Sequence, residues 1–364
     1  MSPKASKPTM NDWKTGQSGP LHTATLFMDL VSSSDFASVM SLRDYARYVE
    51  SFHRLCQEQC EYFFKTVCGQ YYTHDGTNYE FHVVGDEMVV FLHSPKPAND
   101  VYQLICLAVT LKCGWLGLPI NRGRLKAGLS STDLAAGIHC GEVWATRTRE
   151  GFHKCGYAIN VAKRTESTSR EGDRFRIMVS DAAFKQINRK IRNVLFSPRR
   201  VISMKGIVVP IGVYEVAECF MDISKRLKPE FTAGFARVAR LALKTNTFDL
   251  WVHSCLQVME EARNRKVTGE CLELCERVLN IDPDNPVALY YAAQGMRERG
   301  DSETARLYYK DLARHWPKCA EGWLDMGRLL KTMGRMAEAR ECILQARRRA
   351  VDPSEEELPP VEGT

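Results

Sequence analysis

Toward its C-terminus this chain repeats itself every 34 residues, and no other feature restricts its fold as strongly. Gly300 recurs as Gly334, Ala305 as Ala339 and Leu289 as Trp323; one period earlier, Pro283 matches Pro317 and Cys271 matches Ala305. Small residues at fixed offsets let paired helices approach closely, and a proline closes each unit. No strand signal survives after about residue 219, so any sheet must be built from what precedes it. At 364 residues the chain is too long for one core, and about two domains of ~150 residues are expected.

The first part of the chain reads differently. Residues 1–20 are polar and rich in Ser, Pro and Gly, which predicts a mobile arm. The apolar run TATLFMDLV follows, then a helical stretch over 42–66. Two β-like runs, NYEFHVV and EMVVFL, are joined at Gly85-Asp86, where glycine supplies a tight turn. A helix is expected over 98–115, strands at AAGIHCG, GEVWATR and FRIMVS, a helix over 158–169, and last strands at VISMK and GVYEVAE. Strands interleaved with helices predict an α/β or α+β sheet domain, taken as α+β, over 21–218, a helical linker over 219–250, and an all-α repeat region over 251–353. The acidic, Pro-rich tail at 354–364 is expected to fray.

The periodic region resembles the tetratricopeptide repeat in about three copies, 252–285, 286–319 and 320–353. Such a surface can bind a protein partner, pack on the first domain to regulate it through the basic segment 221–250, or stabilise a dimer. Composition limits the remaining classes. Fifty basic against 44 acidic residues leave a charge of +6, too little to imply nucleic-acid binding at this length. No apolar run approaches the ~18 residues that span a bilayer, and the start lacks the order of a signal peptide. Thirteen scattered cysteines predict reduced thiols and a cytoplasmic protein. His53, Cys56 and Cys60 share a helix face, as do Cys271 and Cys275, but neither set has a second pair at structural-zinc spacing.

Four segments carry chemistry. Asp29 ends the buried run FMDL and is followed by Ser32-Ser33-Ser34, whose backbone N–H groups suit a phosphate at a helix start. Asp86 sits at a hairpin tip. Two carboxylates beside apolar strands suit Mg²⁺ or Mn²⁺, which bind through one or two carboxylates plus phosphate oxygens. Asn160 and Arg164, four apart, face the same side of a helix. Met204-Lys205-Gly206 precedes the strand GVYEV. Lys163, Arg164 and Arg170 form a basic cluster whose expected partner is a triphosphate.

In order and spacing, residues 21–218 resemble the class III nucleotidyl cyclase catalytic domain. Asp29 and Asp86 fall at its metal-binding aspartates, Ile159-Asn160-Val161-Ala162-Lys163-Arg164 at its V-N-x-A-x-R element, and Gly137 to Val143 at its G-I-x-x-G-x-V element. Lys205-Gly206 and Val213 to Val216 fall at its closing K-G and V-Y-E-V. The resemblance implies a ferredoxin-like βαββαβ core, two Mg²⁺ or Mn²⁺ ions per site held at Asp29, Leu30 and Asp86, and catalysis by Asn160 and Arg164. It also implies Lys205 on the terminal phosphates. The active sites would lie across the interface of a homodimer, each protomer giving half of each site.

Base selection departs from that family. His82 stands where purine cyclases carry Lys or Glu, and His153 stands where they carry a second selector. Tyr48, on the first long helix, would leave room for a one-ring base if it projects into the pocket. Altered selectors with an aromatic there resemble the pyrimidine cyclases of bacterial Pycsar anti-phage defence, which implies UTP ahead of CTP as substrate. An adenylyl or guanylyl cyclase with unusual selectors, or a silent nucleotide-binding domain serving the repeats, are the alternatives.

Overall fold

The computed structural model describes residues 15–69, 72, 79–129, 131–149, 151–187, 194–219, 223–245, 268–280 and 282–349. The chain divides into two compact units. One holds residues up to Leu111 with Leu134–Ile187 and Pro198–Glu215; the other holds Lys112–Asp133, the stretch ending at Ser197, and the chain from Val216 onward.

In the first unit the strands are β1 (Ser18–Leu30), β2 (Tyr79–Val84), β3 (Glu87–Leu92), β4 (Leu134–Thr148), β5 (Gly151–Cys155), β6 (Ile177–Ser180), β8 (Arg200–Ile202) and the start of β9 (Ile211–Cys219). They run in the order β2-β3-β1-β4-β6-β9, with β5 on β4 and β8 on β9. All pairs are antiparallel except β4–β6. β1 is central, and its residues Thr23–Leu30 are buried without interruption, as expected of a strand covered on both faces. Against the sheet lie helices α1 (Ser33–Val39), α2 (Leu42–Tyr62, continued by a π-turn over Phe63–Val67), α5 (Tyr157–Ser169) and α6 (Asp181–Ile187), with α3 (Pro97–Leu116) beginning in this unit. Ser41 caps α2 by accepting from the Asp44 N–H, which fixes where that helix starts.

Some expectations shift. Strand pairing begins at Ser18, opposite Thr146, so the segment read as an arm already belongs to the sheet from there; residues 1–14 lie outside the described residues. AAGIHCG and GEVWATR are one continuous strand. Gly141 is not a turn: a Cβ there would lie 3.0 Å from Ala158 Cβ, so it clears space for α5. The strand at VISMK is only three residues long, because Met204 turns in to pack with Val161, Met178 and Val213. α1, β5 and α6 had no sequence signal, being short elements of seven, five and seven residues.

In the second unit β7 (Val194–Phe196) pairs with the end of β9. Helix α7 (Pro229–Thr245) packs closely on α4 (Pro119–Lys126): Gly117 allows it, since a Cβ there would lie 2.4 Å from the Phe235 N. Among the described residues five helices follow, Thr268–Leu279, Pro286–Glu298, Ser302–His315, Ala320–Thr332 and Met336–Arg349. Their starts recur at the 34-residue offset. Gly300 and Gly334 both end a helix with positive φ, and Ala305 and Ala339 are both fully buried in one core with Leu289, Tyr309 and Leu329. Asn285 caps the second of these helices by accepting from the Val287 and Ala288 N–H groups, with Pro286 at its first position. The first helix expected in copy 252–285, the linker beyond residue 245 and the tail lie outside the described residues. No single helix is long and apolar enough to cross a membrane among the described residues.

Candidate active site

Strand register brings the acidic groups together. Asp29, next to last in β1, lies opposite Glu87 of β3, and the Leu30 N–H donates to the Asp86 carbonyl at 3.2 Å. Gly85, with φ 61°, makes the tight turn that presents Asp86 at the hairpin tip. Ser33 Oγ donates to Asp86 Oδ2 through a short hydrogen bond, and His53 Nε2 contacts the Gly85 carbonyl. Ser32 itself is left-handed, at φ 59°. Leu30 is fully buried and pairs with Leu134 of β4.

α5 supplies the other wall. Lys163, Glu166 and Arg170 lie on one stripe of it, being three and four residues apart. Lys163 Nζ pairs with Glu87, lies 2.9 Å from Glu166 Oε2 and 3.6 Å from Asp29 Oδ2. Arg170 donates to Asp29 Oδ2 and sits 3.3 Å from Glu166 Oε1. The loop after α5 is tied down by buried Glu215, which accepts from the Asp173, Arg174 and Arg176 N–H groups. The basic cluster read as a triphosphate partner is thus largely spent on carboxylates: Lys163 and Arg170 face acid, and only Arg164 lies on another stripe. Sequence reasoning missed Glu87 and Glu166. Their neighbours Asp86 and Arg164 were the available signal, but convergence on Asp29 depends on cross-strand register and on the approach of α5.

These carboxylates fit a divalent cation. Asp29, Glu87 and Glu166 each offer an oxygen, all within 4.8 Å of one another, and this is an all-oxygen donor set. Asp29 is 6% exposed, and its Oδ1 has no hydrogen-bond partner. Burial, then the charges of Glu166 and Asp86, push its pKa up to about 6, against the pull of Lys163 and Arg170. The folded chain therefore holds this proton more tightly than the unfolded chain, whose value is near 3.8. The contribution of Asp29 to stability is greatest at low pH and falls as pH rises through about 6. In chelator-treated protein, lowering the pH from 7.5 to 5 is expected to recover about 1 kcal/mol from this group after allowance for solvent screening. Urea unfolding of wild type and Asp29→Asn across that range checks it. An unchanged slope in the variant counts against the raised value.

A second cleft, of ≈ 530 Å³, is lined by Lys154, Cys155, Gly156, Tyr157, Ile159 and Asn160. Asn160 is exposed and Arg164 half-buried, on the stripe of α5 that begins at Tyr157. No hydrogen bond or ion pair among the described residues joins either of them to Asp29 or Asp86. Beside this cleft, buried Glu80 of β2 accepts from the Phe152 N–H and pairs with Lys154. Burial lowers the Lys154 pKa; it would raise that of Glu80, but His82 and Lys154 outweigh it and lower it. His82 Nε2 lies 3.8 Å from Glu80 on an exposed side chain. His153 is exposed on β5, and Lys205 is exposed in the turn before Gly206. Tyr48 is 1% exposed, packed against Phe36 and Tyr45.

No protein-family profile and no curated protein matches this chain. Solved structures do resemble it. The adenylyl cyclase CyaB from P. aeruginosa is 14% identical, with a TM-score of 0.44, over 56% of this chain and 96% of its own. The guanylyl cyclase Cya2 is 16% identical, with a TM-score of 0.43, over 57% and 95%. The guanylate cyclase domain of RhGC from Catenaria anguillulae, in complex with GTP, is 15% identical, with a TM-score of 0.40, over 55% and 99%. Likenesses this distant fix neither a substrate nor a site residue.

Among the described residues, the one cluster of three or more converging His, Cys, Asp or Glu ligand atoms is Asp29, Glu87 and Glu166, and it includes no cysteine. Cys56 and Cys60 are buried, with pKa values pushed up chiefly by burial, and His53 is engaged by Gly85.

Proposed function

We propose that the chain is a nucleotidyl cyclase, converting a nucleoside triphosphate to a 3′,5′-cyclic nucleotide and pyrophosphate. The observation that carries this reading is the meeting of Asp29 and Asp86 at the end of β1, with the Asn160–Arg164 stripe on the adjacent helix. Asp29 and Asp86, with Leu30 beside them, would hold Mg²⁺ or Mn²⁺. The ions, when bound, acidify the ribose 3′-hydroxyl and neutralise the triphosphate.

The residues of the chain then divide the work. A bond forms between O3′ and the α-phosphorus as the α-phosphorus–oxygen bond to the β-phosphate breaks; pyrophosphate leaves with that oxygen, and the 3′-hydroxyl proton passes to water. Arg164 donates to the α-phosphate oxygens where charge accumulates, and Asn160 orients the ribose. Lys205 meets the terminal phosphates. Among the described residues no hydrogen bond or ion pair within one protomer joins the carboxylates to Asn160 or Arg164, which favours composite sites in a homodimer.

His82 and His153 in place of the ordinary purine selectors do not by themselves name a base; taken with Tyr48 on the first long helix they resemble the pyrimidine cyclases of anti-phage defence, and on that resemblance UTP is the favoured substrate, ahead of CTP. The helix pairs at the 34-residue offset are read as a tetratricopeptide-like array offering a surface to a protein partner. Incubating the protein with ATP, GTP, CTP and UTP in Mn²⁺, and identifying products by mass spectrometry, tests the whole reading. A cyclic pyrimidine nucleotide is expected. A cyclic purine nucleotide would retain the reaction and remove the base assignment, and no product from any of the four would leave a silent nucleotide-binding domain.

A further inference from the structure

Four carboxylates, Asp29, Asp86, Glu87 and Glu166, share the end of β1, and two cations, Lys163 and Arg170, are paired among them. Glu166 is fully buried, so its charge has no help from solvent. The two cations are differently built. Arg170 spreads a planar fork over Asp29 and Glu166 from a side chain 41% exposed. Lys163 brings a compact ammonium to the three carboxylates whose oxygens lie within 4.8 Å of one another. A cage of that size and donor type suits a small cation, and the group now in contact with all three of its walls is Nζ of Lys163.

We propose that Lys163 is the internal counter-ion of this cluster and competes with the divalent cation for Asp29, so that Lys163 sets how tightly metal is held. This rests on the reading of Asp29 as a metal ligand. A divalent ion drawn to Asp29 meets the ammonium at close range, where like charges repel strongly in a partly buried site. Lys163 is also able to leave. Its side chain is 33% exposed and ends in an ammonium that lies 5.8 Å from the centre of the Phe27 ring, and a flexible four-carbon stem lets that head swing toward solvent. The same ammonium keeps the metal-free cluster from repelling itself apart, because the interactions with Glu87 and Glu166 more than offset the cost of its burial and raise its pKa. Lys163 is therefore a positioning residue, one that acts on substrate only through the metal.

The test is Mn²⁺ binding to the full chain without nucleotide, read as free Mn²⁺ by electron paramagnetic resonance. Lys163→Gln, which keeps a hydrogen-bond donor but no charge, is expected to bind Mn²⁺ about tenfold or more tightly than wild type. Lys163→Arg, which keeps the charge, should stay near wild type, and Asp29→Asn should lose the site. A purely structural role for Lys163 predicts the opposite sign, because a loosened site binds metal less well. Equal or weaker binding by Lys163→Gln, with binding in wild type still dependent on Asp29, overturns the proposal. Binding that ignores Asp29 in every protein overturns the metal reading, and the proposal with it. Differential acylation of wild type gives an answer even if the variant fails to fold. Labelling of Lys163 is expected to rise several-fold on adding Mn²⁺ as the ammonium is released, and unchanged labelling counts against competition.

Discussion

Asp29→Asn is expected to lower cyclic nucleotide formation by about a hundredfold to a thousandfold, the range seen when a group that stabilises developing charge or holds a catalytic metal is lost. The substitution keeps the shape of a side chain that is buried at the end of β1, so Arg170 retains an oxygen to bind and the strand pairing with Glu87 is undisturbed. The loss should therefore appear in turnover, with far-UV circular dichroism unchanged. Arg164→Ala is expected to be as inactive, for the separate reason that it leaves the α-phosphate without its donor. The two inactive proteins provide a sharper measurement when mixed. In a homodimer with composite sites, half of the randomly paired dimers are mixed, and each of these rebuilds one of its two sites. Activity should then recover to roughly a quarter of wild type. A mixture as dead as its components would place Asp29 and Arg164 in the same protomer's site, or show that the chain does not form such a dimer.

The second large effect concerns a glycine. Gly137 lies in β4 where α5 crosses it, and a Cβ there would lie 2.0 Å from the Glu166 N and 2.5 Å from its Cα. Those are backbone atoms in a helix, which cannot swing aside as a side-chain tip can. Gly137→Ala must therefore push α5 off the sheet, and it is expected to cost more than about 3 kcal/mol, at the upper end of overpacking effects. Because α5 carries Asn160, Lys163, Arg164 and Glu166, activity should fall further than the folded fraction does. Gly123→Ala serves as the comparison. Its Cβ would meet nothing within 4 Å in a helix, so it should be neutral or stabilising by up to ~1 kcal/mol. Urea midpoints for the pair decide the matter, and a Gly137→Ala protein as stable as wild type would mean that α5 does not sit so close to β4.

Both predictions rest on features of very different legibility. The β2–β3 hairpin at Gly85-Asp86, the long helices over 42–62 and 97–116 and the 34-residue spacing of the C-terminal helices were all readable, because each is set by periodicity or turn chemistry within a few residues. Asp29, Asp86, Asn160 and Arg164 could be singled out as well, since each sits beside a local signal: a strand end, a turn, or a spacing of four on a helix.

What the residues do to one another could not be read in this way. That Glu87 lies opposite Asp29 depends on the register between β3 and β1, and a slip of one residue would turn it to the other face. That Glu166 joins them depends on Gly137, nearly thirty positions earlier, admitting the helix backbone. Lys163 and Arg170 looked like phosphate ligands because the sequence shows their charge but not their neighbours, and the fold directs that charge onto Asp29, Glu87 and Glu166. The sequence by itself determined the longer strands and helices, though not the short α1, β5 and α6, and which side chains are able to do chemistry. Only the tertiary structure decided which charges meet, because electrostatic partnership falls off over a few ångströms while the partners here are up to 141 residues apart along the chain.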